Sequence, residues 1–539
     1  MALELLHLRR DLLDPRPGTQ HPPQQPWTPG EILARHRRGI GFLLRHLLPA
    51  ADGGGSYFMC PAEGRVLETA LTLRLLEKEG LEPEWREQLR GFLAKNIERA
   101  DLISKPIGLA ALGREHRGAL QNLAQLMAGL EYARRRKYAF LVMLLSEAGL
   151  VTLEEVGLGP EYFSDEAHHR FSRLYGAALR LIYGRRRGVA LDRQKDIEFL
   201  RKAQGLEGGW EQQTLITILA ILGMGREHEC FAPGLEFLKR MTREDGGIAF
   251  CDNQNVWLAA LGGLALQTAG RITKPAQRTI ADYLLSRQHL NGGWAFTEGV
   301  VQTDTDCSAN SLQMLIELDP ERYAMTIERG QEYFLRLQRP DGGYPTYEIE
   351  GESEVTMTAN IVLAQSLWME QDPRLLEPVR RACRYLVLRQ KGDGRFEKSW
   401  SLSESYSIFR TLWALDKCRE SVPELPLQSL YQSAAEYLLD TQHADGGWGQ
   451  KDSLPSDGLS TAYSLSALCI ARRYLPIEAA RIDRAVSHLV SQQDPESGEF
   501  FSVPDLVGPR PIPFDVTLLS TVFSALALSF AAHALTDRP

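Results

Sequence analysis

Hydrophobic and polar positions recur along this chain with a period of about fifty residues. In each copy an aromatic residue is followed by Gln five positions later, Gly nine positions later and a second aromatic eleven positions later. The complete copies are Phe199/Gln204/Gly208/Trp210, Tyr283/Gln288/Gly292/Trp294, Tyr333/Gln338/Gly342/Tyr344, Tyr385/Gln390/Gly394/Phe396 and Tyr437/Gln442/Gly446/Trp448. Looser copies begin at Phe237 and Leu489. From Tyr283 onward the copies start 50 to 52 residues apart.

Each copy predicts an outer helix, a glycine turn and an inner helix. The glycine ends the outer helix because it adopts the left-handed backbone without strain. In the second helix of the Tyr333 copy, Ala359, Val362, Leu363 and Leu367 fall on one helical face. The Gln and the turn aromatic are expected to tie one helix end to the start of the next, which is a structural role.

A helix pair cannot bury its apolar face alone, so the pairs must pack side by side, and a closed ring leaves no end exposed. We therefore predict an all-α protein made of two α-α toroids. Residues 1–55 and 271–539 form the first ring, whose sixth helix pair comes from residues 32–58 with the turn Gly53-Gly54-Gly55. Residues 56–270 form an inserted second ring, and the Pro-rich residues 15–29 form an arm on the surface.

One apolar stretch, VTLLSTVFSALALSFAAHAL at residues 516–535, is long enough to cross a bilayer. Its Ser, Thr and His residues and its register with the repeats favour a buried helix instead. We expect no transmembrane segment, although this leaves peripheral contact with a membrane open.

The composition of the chain indicates which binding partners and which cellular compartment to expect. A net charge of -8 gives no general attraction to nucleic acid. The seven cysteines are scattered without a C-x-x-C pair, so neither disulfides nor a zinc cluster is indicated. The first twenty residues lack the apolar run of a signal peptide. These features predict a cytoplasmic protein and leave its oligomeric state open.

Comparison of sibling copies isolates a candidate acid. The inner helix after Trp294 starts DTDCSAN and the one after Tyr344 starts EVTMTAN, and the two align without a gap. Asp306 stands where the other copies have Thr356, Leu459 or Leu519, so a carboxylate occurs there only once. Asp304 has acidic counterparts in other copies, which leaves open whether it is a helix cap or part of the site.

These features resemble the class II terpene cyclases, including squalene-hopene and diterpene cyclases, over most of the chain. In their motif D-x-D-D-T-A the middle Asp is the proton donor, a position that Asp306 matches; Asp304 matches the first Asp and Ala309 the Ala. Cys307 departs from the motif but resembles the D-C-T-A of oxidosqualene cyclases. The resemblance implies cyclisation started by protonation, and it leaves open whether an alkene or an epoxide is protonated.

An alkene is a very weak base, so its donor must be protonated and shielded from water. Burial and the charge of Asp304 would raise the pKa of Asp306, whereas the helix N-terminus would stabilise the carboxylate that remains. Cys307 and Asn310 are expected to tune this acid. The sequence does not decide which influence prevails.

A carbocation needs a dry pocket with aromatic faces. Trp257 and Phe296 are candidates, and GGWAF resembles the stretch before the acid in squalene cyclases. Trp400 to Tyr406 (WSLSESY) resembles the W-H-x-S-P-Y-Y of diterpene cyclases, and Thr358-Ala359-Asn360 resembles their S-x-N-A-H. Asn310, Asn360 and Tyr406 are candidates to hold a water or take the final proton. For each aromatic, an ordinary place in the core is the alternative.

The chain contains no adjacent Asp pair, so the D-D-x-x-D magnesium site that ionises a diphosphate is missing and a substrate diphosphate should be retained. Its cationic partners would be Arg185, Arg186 and Arg187, or the run from Arg134 to Lys137, unless these are solvated faces. No protein metal site is expected. Mg²⁺ is implied by the resemblance alone, as the counterion of the diphosphate.

We therefore predict a class II cyclase of geranylgeranyl or farnesyl diphosphate that makes a fused-ring diphosphate of copalyl or drimenyl type. Within the class, a squalene, oxidosqualene or prenylated aromatic substrate is the alternative. From other classes, a protein prenyltransferase β subunit would need Asp-x-Cys and a later His for zinc, whereas Asp306 and Cys307 are adjacent. A helical scaffold without catalysis is the remaining alternative.

Overall fold

A computed structural model describes residues 26–116, 118–128, 130, 133–163, 168–189, 193–349 and 351–536. Most of the Pro-rich arm predicted at residues 15–29 lies outside these ranges, as does the N-terminal stretch examined for a signal peptide. Helices make up most of the described chain. Their bounds are α1 (Pro29–Arg45), α2 (Val66–Glu79), α3 (Pro83–Asn96), α4 (Ser104–Ala111), α5 (Ala119–Ala128), α6 (Arg134–Glu147), α7 (Arg170–Arg187), α8 (Arg193–Ala203), α9 (Thr214–Met224), α10 (Phe231–Arg240), α11 (Asn255–Gln267), α12 (Lys274–Ser286), α13 (Thr305–Leu318), α14 (Ala324–Leu337), α15 (Val355–Ser366), α16 (Leu376–Leu388), α17 (Glu404–Cys418), α18 (Leu427–Asp440), α19 (Gly458–Ala471), α20 (Ala479–Ser491) and α21 (Leu518–Ala534).

Short antiparallel strand pairs connect parts of this helical framework. Strand β1 (Leu47–Pro49) pairs with β2 (Ser56–Phe58), β3 (Gly64–Arg65) with β4 (Ile248–Ala249), and β5 (Leu506–Val507) with β6 (Pro513–Phe514). Single 3₁₀ turns occur at Ile97–Arg99, Pro160–Phe163, Gly270–Thr273, Pro373–Leu375 and Arg419–Ser421.

The first ring is an α-α toroid with alternating inner and outer helices. Its inner helices α11, α13, α15, α17, α19 and α21 pack in that order, and α21 returns to contact α11. The outer helices are α12, α14, α16, α18, α20 and α1. The inner helices are buried on nearly all sides, as in α15, where every residue from Val355 to Gln365 is buried. The predicted all-α toroid is confirmed.

The sixth helix pair has a different origin from the one predicted. Residues 32–58 supply one outer helix, α1, followed by the β1–β2 hairpin, whose loop contains the three glycines. The inner partner is α11, which was predicted to belong to the second ring. Helix α11 is apolar all round and packs closely in the first core, since a Cβ added at Gly262 would lie 2.3 Å from the Phe58 ring. The second ring therefore ends near residue 252 rather than at residue 270.

The repeated Gln and Gly form the predicted ties between neighbouring units. Each Gln amide donates to the carbonyl of its own turn glycine and to a carbonyl in the first turns of the next outer helix, at N···O distances of 2.7–3.3 Å. The turn glycines have φ between 82° and 93°, in the left-handed region. In the last tie Gln493 donates to Arg35 of α1, and this bond joins the two ends of the first ring.

Replacing Gln493 by Leu is expected to lower the free energy of unfolding by about 1–3 kcal/mol, because the buried carbonyl of Gly498 and the partly buried carbonyl of Arg35 lose the amide donor of Gln493. The denaturant midpoint measures the change. Gln432 is a matched control, since its amide bonds only the nearby carboxylate of Glu436 on the surface. Equal stability of Gln493→Leu and Gln432→Leu would contradict a role for the tie in closing the ring.

A second apolar core contains most of the buried residues of α2 to α10. Helix α2 packs against α3, α4 and α9, and α7 packs against α8 and α9. Ala295, Val300 and Ile512 from the first ring's loops also enter this core. In the first ring, the loops that precede the inner helices therefore lie against the second ring.

The apolar stretch 516–535 forms α21, an inner helix that packs between α1 and α19. In the described part of the chain, no helix is both long and apolar enough to span a bilayer.

Candidate active site

A cavity of about 450 Å³ opens between the two rings, at the N-terminal end of helix α13. Asp304, Asp306 and Cys307 line it, together with the aromatic residues Phe171, Tyr175, Phe250, Trp257, Phe296, Tyr347, Trp400 and Phe514. Basic residues from both rings complete the lining: Arg136, Lys137, His169, Lys398, Lys451 and Arg510. The cavity thus combines acidic, aromatic and basic side chains.

Asp306 is the second residue of α13, and three side chains donate hydrogen bonds to its carboxyl group. Trp257 Nε1 lies 2.9 Å from Oδ2, while Asn310 Nδ2 and Asn360 Nδ2 lie 2.8 Å and 2.6 Å from Oδ1. The donors come from α11, α13 and α15, so three successive inner helices meet at this side chain.

Burial raises the pKa of the Asp306 carboxyl above its ordinary value. The nearby cation of Arg410 and the three donors act in the opposite direction, because each favours the carboxylate. Burial therefore favours the protonated acid, and its conjugate base finds hydrogen-bond donors already in place. That combination suits a group that gives a proton to a weak base.

Asp304 is the N-cap of α13, since its Oδ1 accepts from the backbone N–H of Cys307 at 2.7 Å. Burial, together with the adjacent charge of Asp306, raises the pKa of Asp304 to about 7. Asp457 caps α19 in the same way and also has a pKa of about 7, raised by burial. The capping role of Asp304 is thus shared with a residue that does not line the cavity.

Cys307 lies beside both acids on the cavity wall. Burial and the charges of Asp304 and Asp306 hold the pKa of its thiol well above the ordinary value. The thiol therefore stays neutral at physiological pH, and it adds no charge next to the donor.

Three of the predicted aromatic residues, Trp257, Phe296 and Trp400, line the cavity. Tyr406 does not; its ring packs in the first core against Tyr463 and Phe523, at centroid distances of 4.8 Å and 5.7 Å. Tyr406 is the third residue of α17, and its buried ring lies among the aromatic side chains of the inner helices α19 and α21.

Of the two charge runs considered for the diphosphate, the run from Arg134 to Lys137 contributes to the basic part of the cavity. Arg136 and Lys137 of α6 line the cavity with His169, and Arg510 reaches it from the β5–β6 hairpin. Arg510 also pairs with Glu354 at 2.9 Å and stacks over Trp400, 4.3 Å from the ring centroid. Burial and the neighbouring cations hold the pKa of Lys137 well below its ordinary value. Extra negative charge would therefore be favourable here.

Arg185, Arg186 and Arg187 do not lie at the cavity, so their assignment to a diphosphate was wrong. Arg185 donates to the carbonyls of Leu222 and Gly223 at the end of α9, where a cation offsets the helix dipole. Arg186 pairs with Glu147, and Arg187 pairs with Glu154. All three arginines serve contacts within the second ring.

Arg410, which is fully buried in α17, was not among the residues predicted from the sequence. Its Nη2 donates to Asn310 Oδ1 at 3.0 Å and its Nε donates to Asn360 Oδ1. A signal was available, because a single Arg interrupts the apolar run SIFRTLWAL and a buried Arg needs acceptors. The run could not show which acceptors these are.

Replacing Trp257 by Phe is expected to slow cyclisation about 10- to 100-fold, because a hydrogen bond to a charged group contributes roughly 1.5–3 kcal/mol. Phe keeps the aromatic face but lacks the indole N–H that donates a hydrogen bond to Asp306. Single-turnover rates would measure the effect. Trp294→Phe is the matched control, since the Trp294 indole donates to a backbone carbonyl away from the acid. Unchanged rates in Trp257→Phe would show that this bond is not needed.

Comparison with known proteins adds independent findings. The Prenyltransferase alpha-alpha toroid domain matches residues 232–407 and 404–501. A drimenyl diphosphate synthase of Streptomyces showdoensis is 32% identical over 503 residues, covering 89% of this chain and 92% of the relative. Another from Streptantibioticus cattleyicolor is 31% identical, with the same coverage. The ent-copalyl diphosphate synthase structure from Streptomyces platensis superposes with a TM-score of 0.57 at 18% identity, covering 95% of this chain and 99% of that one.

With its toroids, its cavity and these relatives, the chain belongs to the class II terpene cyclases. It is an enzyme of that family, and its similarity to the two drimenyl diphosphate synthases extends over nearly the whole length of both chains. The predictions of family, fold and enzyme class are confirmed.

Proposed function

We propose that this enzyme cyclises farnesyl diphosphate to a bicyclic diphosphate of drimenyl type, with Asp306 as the proton donor. The observation that carries the proposal is the Asp306 carboxyl, buried and held by three donors at one end of a cavity whose other residues are aromatic and basic. The names of the two full-length relatives support the drimenyl product over the copalyl one.

In the proposed reaction the proton leaves Asp306 and binds the terminal alkene of the prenyl chain. The resulting cation is attacked in turn by the remaining alkenes, which forms two carbon-carbon bonds and moves the positive charge along the chain. Loss of a proton from the last cation restores an alkene, so the reaction is an isomerisation with no change in composition. Trp257, Phe296 and Trp400 offer π faces to these cations without a nucleophile.

The diphosphate would lie against the basic residues of the cavity, Arg136, Lys137 and Arg510. Guanidinium and ammonium groups satisfy phosphate oxygens directly. In the described ranges no cluster of three His, Cys, Asp or Glu side chains could hold a metal ion. Mg²⁺ therefore enters the proposal only as a counterion that the substrate carries, and no step depends on it.

The proposal assigns the enzyme to the cytoplasm, where reduced cysteines persist. All seven cysteines are free thiols in the structure, which supports this compartment.

The test is parallel incubation with farnesyl diphosphate, geranylgeranyl diphosphate and squalene, followed by phosphatase treatment and mass analysis. A bicyclic C15 alcohol from farnesyl diphosphate is the expected result. A cyclic product from geranylgeranyl diphosphate alone would correct the chain length to the copalyl type. Cyclic hydrocarbon from squalene alone would overturn the assignment to prenyl diphosphates.

A further inference from the structure

We propose that Arg410 is a positioning residue that directs the proton of Asp306 to Oδ2, acting through the carboxamides of Asn310 and Asn360. This inference rests on the proposed role of Asp306 as the donor. Arg410 itself makes no contact with the cavity; the chain of contacts that follows connects it to the acid.

The first step is the orientation of the two amides. A guanidinium group only donates hydrogen bonds. Because Arg410 donates to Asn310 and to Asn360, each of these residues must turn its Oδ1 toward Arg410. Each Nδ2 then faces Asp306, as the distances of 2.8 Å and 2.6 Å require. The opposite orientation would bring N–H groups against each other.

The second step is the placement of the proton. Two N–H donors bind Asp306 Oδ1, so that oxygen must act as an acceptor. The carboxyl proton therefore belongs on Oδ2, which accepts only the Trp257 indole among the described side chains. Trp257 lines the cavity, so Oδ2 is the oxygen next to the aromatic wall. Arg410 thus selects which oxygen carries the proton.

The third step is the charge of Arg410. The guanidinium is fully buried, and its Nη1 has no hydrogen-bond partner within the described ranges. Its two bonds go to amide oxygens, so the neutral amides lie between the cation and Asp306. The cation stabilises the carboxylate that remains after proton transfer, in addition to orienting the amides.

Other titratable groups face this cluster and must be considered in any pH profile. Asp304 and Cys307 face Asp306 from its own helix, and Tyr406 faces it from α17. Glu317, with Lys417 nearby, faces Arg410. Helices α11 and α15 place Trp257 and Asn360 against Asp306, and neither of these side chains titrates. The titratable groups Asp304, Cys307, Tyr406, Glu317 and Lys417 are unchanged in the Arg410 and Asn360 variants used below.

The test compares Arg410→Met with Arg410→Lys. In Arg410→Met we expect kcat to fall about 100-fold with KM unchanged, because the proton is no longer held on the productive oxygen. The alkaline limb of kcat should move to higher pH, since loss of the cation raises the pKa of a group that must be protonated. Arg410→Lys keeps the cation but not the two-pronged donor, so kcat should fall while the limb stays near its wild-type position.

A double-mutant cycle with Asn360→Ala separates positioning from simple stabilisation of the fold. If Arg410 acts through the amides, the loss from Arg410→Lys should be smaller when Asn360 is already Ala. Should Arg410→Met not fold, Arg410→Lys and this cycle still decide the question. Additive losses, or wild-type kcat and pH profile in either Arg410 variant, would overturn the inference.

Asp306→Asn, measured in the same series, distinguishes failure of the proposed role of Arg410 from failure of the proposed role of Asp306. An inactive Asp306→Asn beside normal Arg410 variants would reject only the role of Arg410. An active Asp306→Asn would reject the proposed donor itself.

Discussion

Replacing Asp306 by Asn is expected to lower kcat at least ~10³-fold, because positioned acid catalysis supplies up to about 10⁴-fold and no other described group in the cavity has the same contacts. Asn has nearly the same shape as Asp and can still accept hydrogen bonds from the amides of Asn310 and Asn360. It has no proton that an alkene could take. Substrate binding should persist, which calorimetry with an unreactive diphosphate analogue would check.

Asp457→Asn is the matched control for this variant. Asp457 is a buried carboxyl at the N-terminus of another inner helix, and burial raises its pKa as it does that of Asp306, but Asp457 caps α19 and does not line the cavity. The control should lose some stability and keep its kcat. If both variants lost activity equally, a structural effect would explain the loss and the assignment of Asp306 as donor would fail.

The pH dependence should have a defined sign. The donor must be protonated, so kcat is expected to be constant at low pH and to fall as pH rises through the pKa of Asp306. Burial raises this pKa, and the fall therefore occurs at higher pH than for an ordinary aspartate. Ionisation of Asp304, whose pKa is about 7, places a negative charge beside the donor and moves the fall further upward.

Most of the fold could be predicted from the repeat, because its Gln and Gly residues each have a defined structural role. Each Gln binds two carbonyls and each turn glycine adopts a left-handed backbone, so the two residue types recur together in the complete copies of the repeat. The place of helix α11 in the first ring was not predicted, because these residue types are incomplete in the copy before it. It is preceded by a loose copy, and an all-apolar helix has no periodicity that reveals its partner.

The site was predictable in part, for a similar physical reason. Asp306 could be found because sibling inner helices lack a carboxylate at its position. Arg410 and the basic residues depend on tertiary contacts between distant segments. Two charge runs, one in α6 and one in α7, look alike as sequence. Only the fold separates Lys137, which lines the cavity, from Arg187, which pairs with Glu154.

Replacing Lys137 by Met should raise KM for a prenyl diphosphate about 10- to 100-fold, because a hydrogen bond to a charged group contributes roughly 1.5–3 kcal/mol. A change in KM with little change in kcat is expected, since the diphosphate keeps its contacts throughout the reaction. Arg187→Met is the control, as it removes a similar charge from the surface pair with Glu154. Equal effects in the two variants would contradict a diphosphate site at Lys137.

The unusual pKa of Lys137 makes this prediction more specific. Burial, followed by the charges of Arg510 and Arg136, holds the pKa of Lys137 well below its ordinary value. A bound diphosphate favours the ammonium form, so binding should take up a proton whenever free Lys137 is neutral. KM should therefore rise as pH rises above the pKa of free Lys137. This rise should be absent in Lys137→Met, whereas a profile identical to that of the wild-type enzyme would show that Lys137 does not bind the diphosphate.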